Sequence, residues 1–261
     1  MVAFVVFSFV AAVTALVAAD QRAPAFGTRA RAGRANAAAN GMLDPRLVSL
    51  SDLQFRPSAP VIANGFRVWA IVERFFDVVA ATIGIVISAP FVAIAAILIK
   101  METPGPAFYA QKRIGKDGSI FTIYKLRSMP VDAEENGPQW DDHSNARATR
   151  IGSFLRRYHL DELPQLYNVL RGDMRIVGPR PERPEFVFVL DRLLPNYSLR
   201  HLVKPGITGW AQVNFTYGAS VEDSYRKLKY DLYYIRKRSL LQDGLIIALT
   251  FRAVLFGAPG K

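Results

Sequence analysis

The chain contains no cysteine, which excludes disulfides, thiol nucleophiles and cysteine-based zinc sites together. Histidine is nearly as scarce. His143, His159 and His201 are too scattered to form a metal centre, and each reads first as a structural residue. Acidic residues are also in deficit, with 22 Asp and Glu against 33 Lys and Arg and a pI near 10.0. Such a balance suits polyanionic partners: nucleic acid, an anionic membrane face or phosphorylated substrates. No nucleic-acid recognition motif accompanies the basic residues, so nucleic acid is not expected as a partner. Mean hydropathy is nonetheless +0.13, so apolar residues must be concentrated in runs, and the pairing of charge with apolar runs points to a membrane.

The 261 residues suffice for one sizeable core plus extensions. Residues 1–19 carry no charge and read as an N-terminal apolar membrane segment. No Lys or Arg precedes it, unlike a secretory signal, whereas Arg22, Arg29, Arg31 and Arg34 come after it. That asymmetry places the chain beyond residue 19 on the cytoplasmic side. A truncated membrane domain is an equally fair reading of this segment. Residues 20–66, rich in Ala, Gly, Arg, Asn and Pro, read as a flexible linker, leaving 67–261 as the main domain.

A second apolar run, residues 78–99, is uncharged over 22 residues. Its length alone favours a spanning helix. Pro90 lies just past the middle and removes a backbone donor, so a break or kink is expected there, and Ser88 offers a hydroxyl to an orphaned carbonyl. Basic residues flank both ends, Arg67 and Arg74 before it, Lys100, Lys112 and Arg113 after. The flanks suggest that both ends stay on one face, with the segment dipping into a single leaflet. The residues leave both arrangements open.

Beyond it, FYAQKRIG (108–115) and SIFTIYKLRSM (119–129) flank the turn signal GKDG and predict a β-hairpin. Residues 130–145 read as a solvated acidic loop without metal-ligand spacing. Leu163, Leu166, Tyr167 and Leu170 follow helical periodicity, Pro164 is tolerable in a first turn, and Gly172 supplies a stop. Asp161 and Glu162 therefore fall at a predicted helix N-terminus. Residues 220–239 mix basic and aromatic residues, which fits either membrane-surface contact or a solvated face over a core stripe. The next apolar stretch, LLQDGLIIALTFRAVLFG, reads as an interfacial or packing helix, and Trp210 as packing or a membrane-interface anchor.

Taken alone, Asp161-Glu162 is an ordinary helix start, since carboxylates are stabilised there. The neighbourhood adds cations. Arg156 lies about a turn upstream, Arg180 sits between prolines in GPRP, and Lys125 lies on the predicted hairpin. Two carboxylates among several cations are what a site needs to hold a diphosphate with a divalent ion while a carboxylate attacks phosphorus.

Together, LDELPQLYNVLRGDMRIVGPRP, IYKLRSM and VKPGITGWAQVN resemble the bacterial sugar transferase family, the monotopic polyprenyl-phosphate phosphoglycosyl transferases. The resemblance runs from about Arg67 to Phe256. It implies transfer of a phosphosugar from a UDP-sugar to undecaprenyl phosphate with release of UMP. It implies Asp161 as nucleophile and Mg²⁺ ligand, Glu162 as its catalytic partner, and Lys125, Arg156 and Arg180 as phosphate-binding cations. Residues 74–99 would form a re-entrant helix-break-helix with its break at Ser88 and Pro90, on the cytoplasmic face of a bacterial inner membrane. The expected fold is a helix-rich α/β domain with a β-hairpin, the re-entrant segment and interfacial amphipathic helices. Membrane lipids are expected partners, and a homo-oligomer is compatible with the pattern.

Two departures stand out. Ala89 separates Ser88 from Pro90, where the family often has Ser directly before Pro, so the serine's hydrogen bond is re-aimed or lost. Phe215-Thr216-Tyr217-Gly218 follow AQVN where many members have Gly and a nearby arginine, so no arginine contact carries over. The NFTYGASVED stretch resembles an exopolysaccharide-type subset. The alternative class is a non-catalytic basic membrane protein that binds anionic lipid or polysaccharide and organises a complex. It gives no reason for two acids set among phosphate-binding cations.

Overall fold

A computed structural model describes residues 66–135, 147–215 and 220–256. The readings of residues 1–19 and 20–65, of His143, and of the later half of the acidic loop lie outside these residues.

Helix α1, Phe66–Glu102, is 37 residues and therefore about 55 Å long. By length and composition it could cross a membrane. Its buried positions, Glu73, Asp77, Ala81, Ile85, Ser88, Val92, Ala95 and Ile99, recur every three or four residues and form one stripe along the helix. Small residues let the domain approach closely. A Cβ at Gly84 would sit 3.0 Å from Leu166. The other side is apolar and exposed, with Phe75, Ile83, Ile87 and Phe91 each more than half exposed.

Helical backbone runs on through Pro90, where a break or kink is expected. Proline removes one amide, the donor that would reach the Val86 carbonyl, and the buried stripe continues on both sides of it. Ser88 does not serve that orphaned carbonyl. Its hydroxyl lies 3.4 Å from the Ile85 oxygen, a long contact one residue off.

The hairpin forms as expected from β1, Phe108–Ile114, and β2, Ile120–Leu126, with Tyr109 opposite Lys125. Its turn places Asp117 and Gly118 at positive φ. Phe121 and Ile123 point from β2 into a cluster with Ala81, Val169 and Met174. Helix α2, Arg150–Arg157, is capped by the Thr149 hydroxyl and packs Leu155 against the C-terminal half of α1. A 3-10 turn, Leu160–Glu162, leads to α3, Gln165–Arg171, which stops at Gly172 in the left-handed region. Arg74 of α1 donates to the Val169 and Leu170 carbonyls at the end of α3, satisfying groups that a helix C-terminus leaves unpaired. Asn168, fully buried, ties α3 to β2 through the Tyr124 amide and the Thr122 carbonyl.

Strand β3, Arg175–Val177, pairs in parallel with β4, Gly206–Thr208, and α4, Pro184–Leu193, lies in the crossover between them. The approach of β4 to the loop after β3 demands glycine, since a Cβ at Gly206 would fall 2.0 Å from the Gly178 nitrogen. A short helix α5, Trp210–Asn214, is followed by α6, Val221–Lys237, and α7, Leu240–Phe256. Leu228, Asp231 and Tyr234 form the buried side of α6, whereas Tyr233 is exposed and stacks on Trp210.

One buried ion cluster joins α1 to this framework. Arg175 of β3 reaches Glu73 and Asp77 of α1 and Asp243 of α7, each at 3.0 Å, and Tyr234 donates to Asp243 at 2.8 Å. The three carboxylates and Tyr234 hold the Arg175 guanidinium firmly protonated despite burial.

Candidate active site

The sequence-predicted residues converge. Lys125 from β2, Arg156 from α2, Asp161 and Glu162 from the 3-10 turn, and Arg180 from the loop after β3 all line one cavity of about 480 Å³. Lysines and arginines outnumber acids on its wall, as a site for phosphate groups requires. Asp161 and Glu162 precede α3 in a separate 3-10 turn instead of occupying its first turn, because Pro164 stands at the cap position and α3 begins at Gln165.

The two carboxylates are treated differently. Lys125 Nζ lies 2.6 Å from Glu162 Oε1, and Arg180 grips the same carboxylate through Nη1 at 3.1 Å and Nη2 at 2.5 Å. Burial alone would raise the pKa of Glu162. Arg180 and Lys125 overcome it and hold the group well below the usual carboxylate range. Asp161 is equally buried, yet it accepts no hydrogen bond among the described residues. Burial and the adjacent Glu162 charge push its pKa up, against the pull of Lys125, Arg156 and His159. Expectation placed a helix N-terminus and cations around Asp161; the structure gives the cations chiefly to Glu162 and leaves Asp161 uncommitted.

The GPRP turn is held by a device the sequence did not reveal. Four successive carbonyls accept from three distant parts of the chain: Pro179 from the Gly206 amide, Arg180 from Arg200, and Pro181 and Glu182 from Arg113 and the Ile114 amide of β1, all at 2.9–3.0 Å. Arg200 is itself fixed by Asp231 at 2.7 Å and by the Tyr197 hydroxyl at 2.8 Å. The four donors lie 20 to 68 residues from the carbonyls they serve, so no local spacing could have marked them. His201 is buried and structural, as expected, and burial drives its pKa down to about 3. His159 lies on the cavity wall, at φ 55°, a left-handed conformation in which His is enriched.

Among the described residues no group of three or more His, Cys, Asp or Glu is arranged to hold a metal ion. A magnesium ion does not need one, because it keeps several waters and binds through one or two carboxylates plus substrate phosphates. The uncommitted Asp161 carboxylate in a cavity rich in lysine and arginine fits that donor set.

The sequence profile of the bacterial sugar transferases matches residues 68–257. An Aeromonas hydrophila UDP-N-acetylgalactosamine-undecaprenyl-phosphate N-acetylgalactosaminephosphotransferase is 45% identical over 190 residues, covering 73% of this chain and 45% of that protein. A putative undecaprenyl-phosphate N-acetylgalactosaminyl 1-phosphate transferase of Bacillus subtilis is 50% identical over 129 residues, 49% of this chain and 72% of that one. A UDP-glucose:undecaprenyl-phosphate glucose-1-phosphate transferase of Xanthomonas campestris is 43% identical over 190 residues, 72% of this chain and 39% of that one. The chain thus spans less than half the length of the first and third of these relatives. With the profile covering nearly all of the described residues, the chain belongs to the bacterial sugar transferase family.

Proposed function

We propose that the protein transfers a sugar 1-phosphate from a UDP-sugar to undecaprenyl phosphate, releasing UMP, as the first membrane step of exopolysaccharide or glycoconjugate synthesis. The observation that carries this reading is the split acid pair: Glu162 clamped by Lys125 and Arg180, and beside it a buried, uncommitted Asp161 in a cation-rich cavity. In the reaction an Asp161 oxygen attacks the phosphorus that bears the sugar. The anhydride P–O bond breaks and its electron pair leaves with UMP. A phosphate oxygen of the polyprenyl acceptor then attacks the same phosphorus. The aspartyl O–P bond breaks, regenerating the carboxylate and giving a polyprenyl diphosphate sugar. Arg180 and Arg156 gather the phosphates, and Glu162 fixes the position of Arg180. A magnesium ion held by Asp161 and the diphosphate would neutralise charge on the transferred group.

The names of the relatives carry two different sugars, so the donor sugar is a separate matter from the chemistry. For the membrane segment, we read α1 as dipping into the cytoplasmic leaflet of a bacterial inner membrane. Both halves of α1 pack on the same domain, Ala81 beside Val169 and Met174, Ile99 beside Leu126 and Leu155, and this favours keeping both ends on one face.

The test is UMP release by purified protein supplied with Mg²⁺, undecaprenyl phosphate and a panel of UDP-sugars. At least one sugar is expected to give turnover that EDTA abolishes. No release with any sugar would overturn the reading. Arg200→Lys is expected to lower kcat about tenfold with little change in donor KM, since an ammonium cannot reach Asp231, Tyr197 and the Arg180 carbonyl together. Wild-type kcat in that variant would show that the held turn does not matter.

A further inference from the structure

Helix α2 presents three different surfaces within eight residues. Leu155 is buried among Val92, Ala95, Ala96 and Ile99 of α1. Arg156 lines the Asp161 cavity. Phe154 and the adjoining cap residue Tyr158, four positions apart, stand outward as a pair with ring centroids 5.1 Å apart. Both are exposed, Phe154 at 57% and Tyr158 at 38%, and the Arg157 guanidinium lies 5.8 Å from the Tyr158 ring.

A rigid aromatic pair in water, with a cation at one side and a phosphate-suited cavity at the other, is a surface prepared for an amphiphile. Its surroundings specify which one. Helix α2 is fastened to the C-terminal half of α1, where the Glu102 carboxylate accepts from the Arg150 and Ile151 amides. The outward residues of that half, Phe91, Ile94, Ile97 and Leu98, are themselves exposed and apolar. The pair therefore belongs to the same element as a cavity-lining arginine and rests on the helix that carries the apolar face. A polyprenyl phosphate has this layout: an anionic head joined directly to a long branched apolar chain.

We propose that Phe154 and Tyr158 hold isoprene units beyond the second of the polyprenyl phosphate acceptor, where its chain leaves the Asp161 cavity for the apolar face of α1. This rests on the transferase reading of the cavity and adds the path of the acceptor to it. Arg156 meets the phosphate, and the aromatic pair selects for an acceptor with a long chain behind it.

The experiment compares the full chain with Phe154→Ser/Tyr158→Ser. Binding of undecaprenyl phosphate and of geranyl phosphate is measured in detergent micelles, and binding of the protein is measured on vesicles free of polyprenyl phosphate. Both residues are exposed, so the variant is expected to fold, and an unchanged melting curve checks this. The expected result is about tenfold weaker binding of undecaprenyl phosphate, from loss of aromatic contact area, with geranyl phosphate and vesicle binding changed less than about twofold. Equal losses for both acceptors, or no loss for either, would overturn the proposal. Weakened attachment to acceptor-free vesicles would overturn it too, by assigning the pair to bulk lipid. A wild-type protein that shows the chain-length difference in binding yet releases no UMP from any UDP-sugar would uphold the acceptor path and sink the transferase reading.

Discussion

Asp161→Asn is expected to reduce UMP release by about 10³-fold or more, while the protein folds. The substitution keeps shape and removes the attacking oxygen's charge and nucleophilicity, along with its capacity to hold magnesium. It disturbs no hydrogen bond among the described residues, because the Asp161 carboxylate accepts none there. The neighbouring clamp on Glu162 should persist, with Lys125 and Arg180 in place. Loss of activity with an unchanged melting temperature would separate chemistry from folding. Residual turnover within tenfold of wild type would place the nucleophile elsewhere.

Arg175→Met is expected to produce the largest loss of stability. The guanidinium is the shared partner of Glu73, Asp77 and Asp243, all buried, and its removal leaves three carboxylates facing one another with less compensation. Breaking a buried ion cluster from one side costs about 3–5 kcal/mol. For a domain of this size that corresponds to a fall in melting temperature of roughly 10 °C. Arg175→Lys should recover little, since one ammonium cannot address three acids along three directions. Arg238 reaches Glu73 at 3.3 Å and will offset a part of the loss. Because two of the acids belong to α1, the same variant should loosen that helix from the domain, seen as faster proteolysis or amide exchange over residues 70–85. A melting temperature within about 2 °C of wild type would show that the cluster does not hold the joint.

Local patterns in the sequence reached far into this fold. Alternating and turn residues located the hairpin, and Gly172 marked the end of α3 because a left-handed residue was needed there. The candidate site was legible in the same way: Lys125, Arg156, Asp161, Glu162 and Arg180 meet in one cavity. The features that stayed hidden depended on partners distant in the chain. Nothing near Arg180 announces that Arg113 and Arg200 hold its flanking carbonyls, and nothing near Glu73 or Asp77 announces Arg175. Local rules also misled at one place. A helix N-terminus seemed to stabilise Asp161, whereas Pro164 delays the helix and the cations settle on Glu162.

The difference between the two acids is the centre of the mechanism, and one measurement addresses it directly. The protein is incubated with Mg²⁺ and an accepted UDP-sugar, without undecaprenyl phosphate, then quenched in acid and mapped by mass spectrometry. The mechanism predicts one equivalent of UMP released and a mass increase of one sugar phosphate on the peptide carrying Asp161. UMP release that begins only when the acceptor is added, with Asp161 never modified, would contradict it and indicate direct transfer between the two substrates.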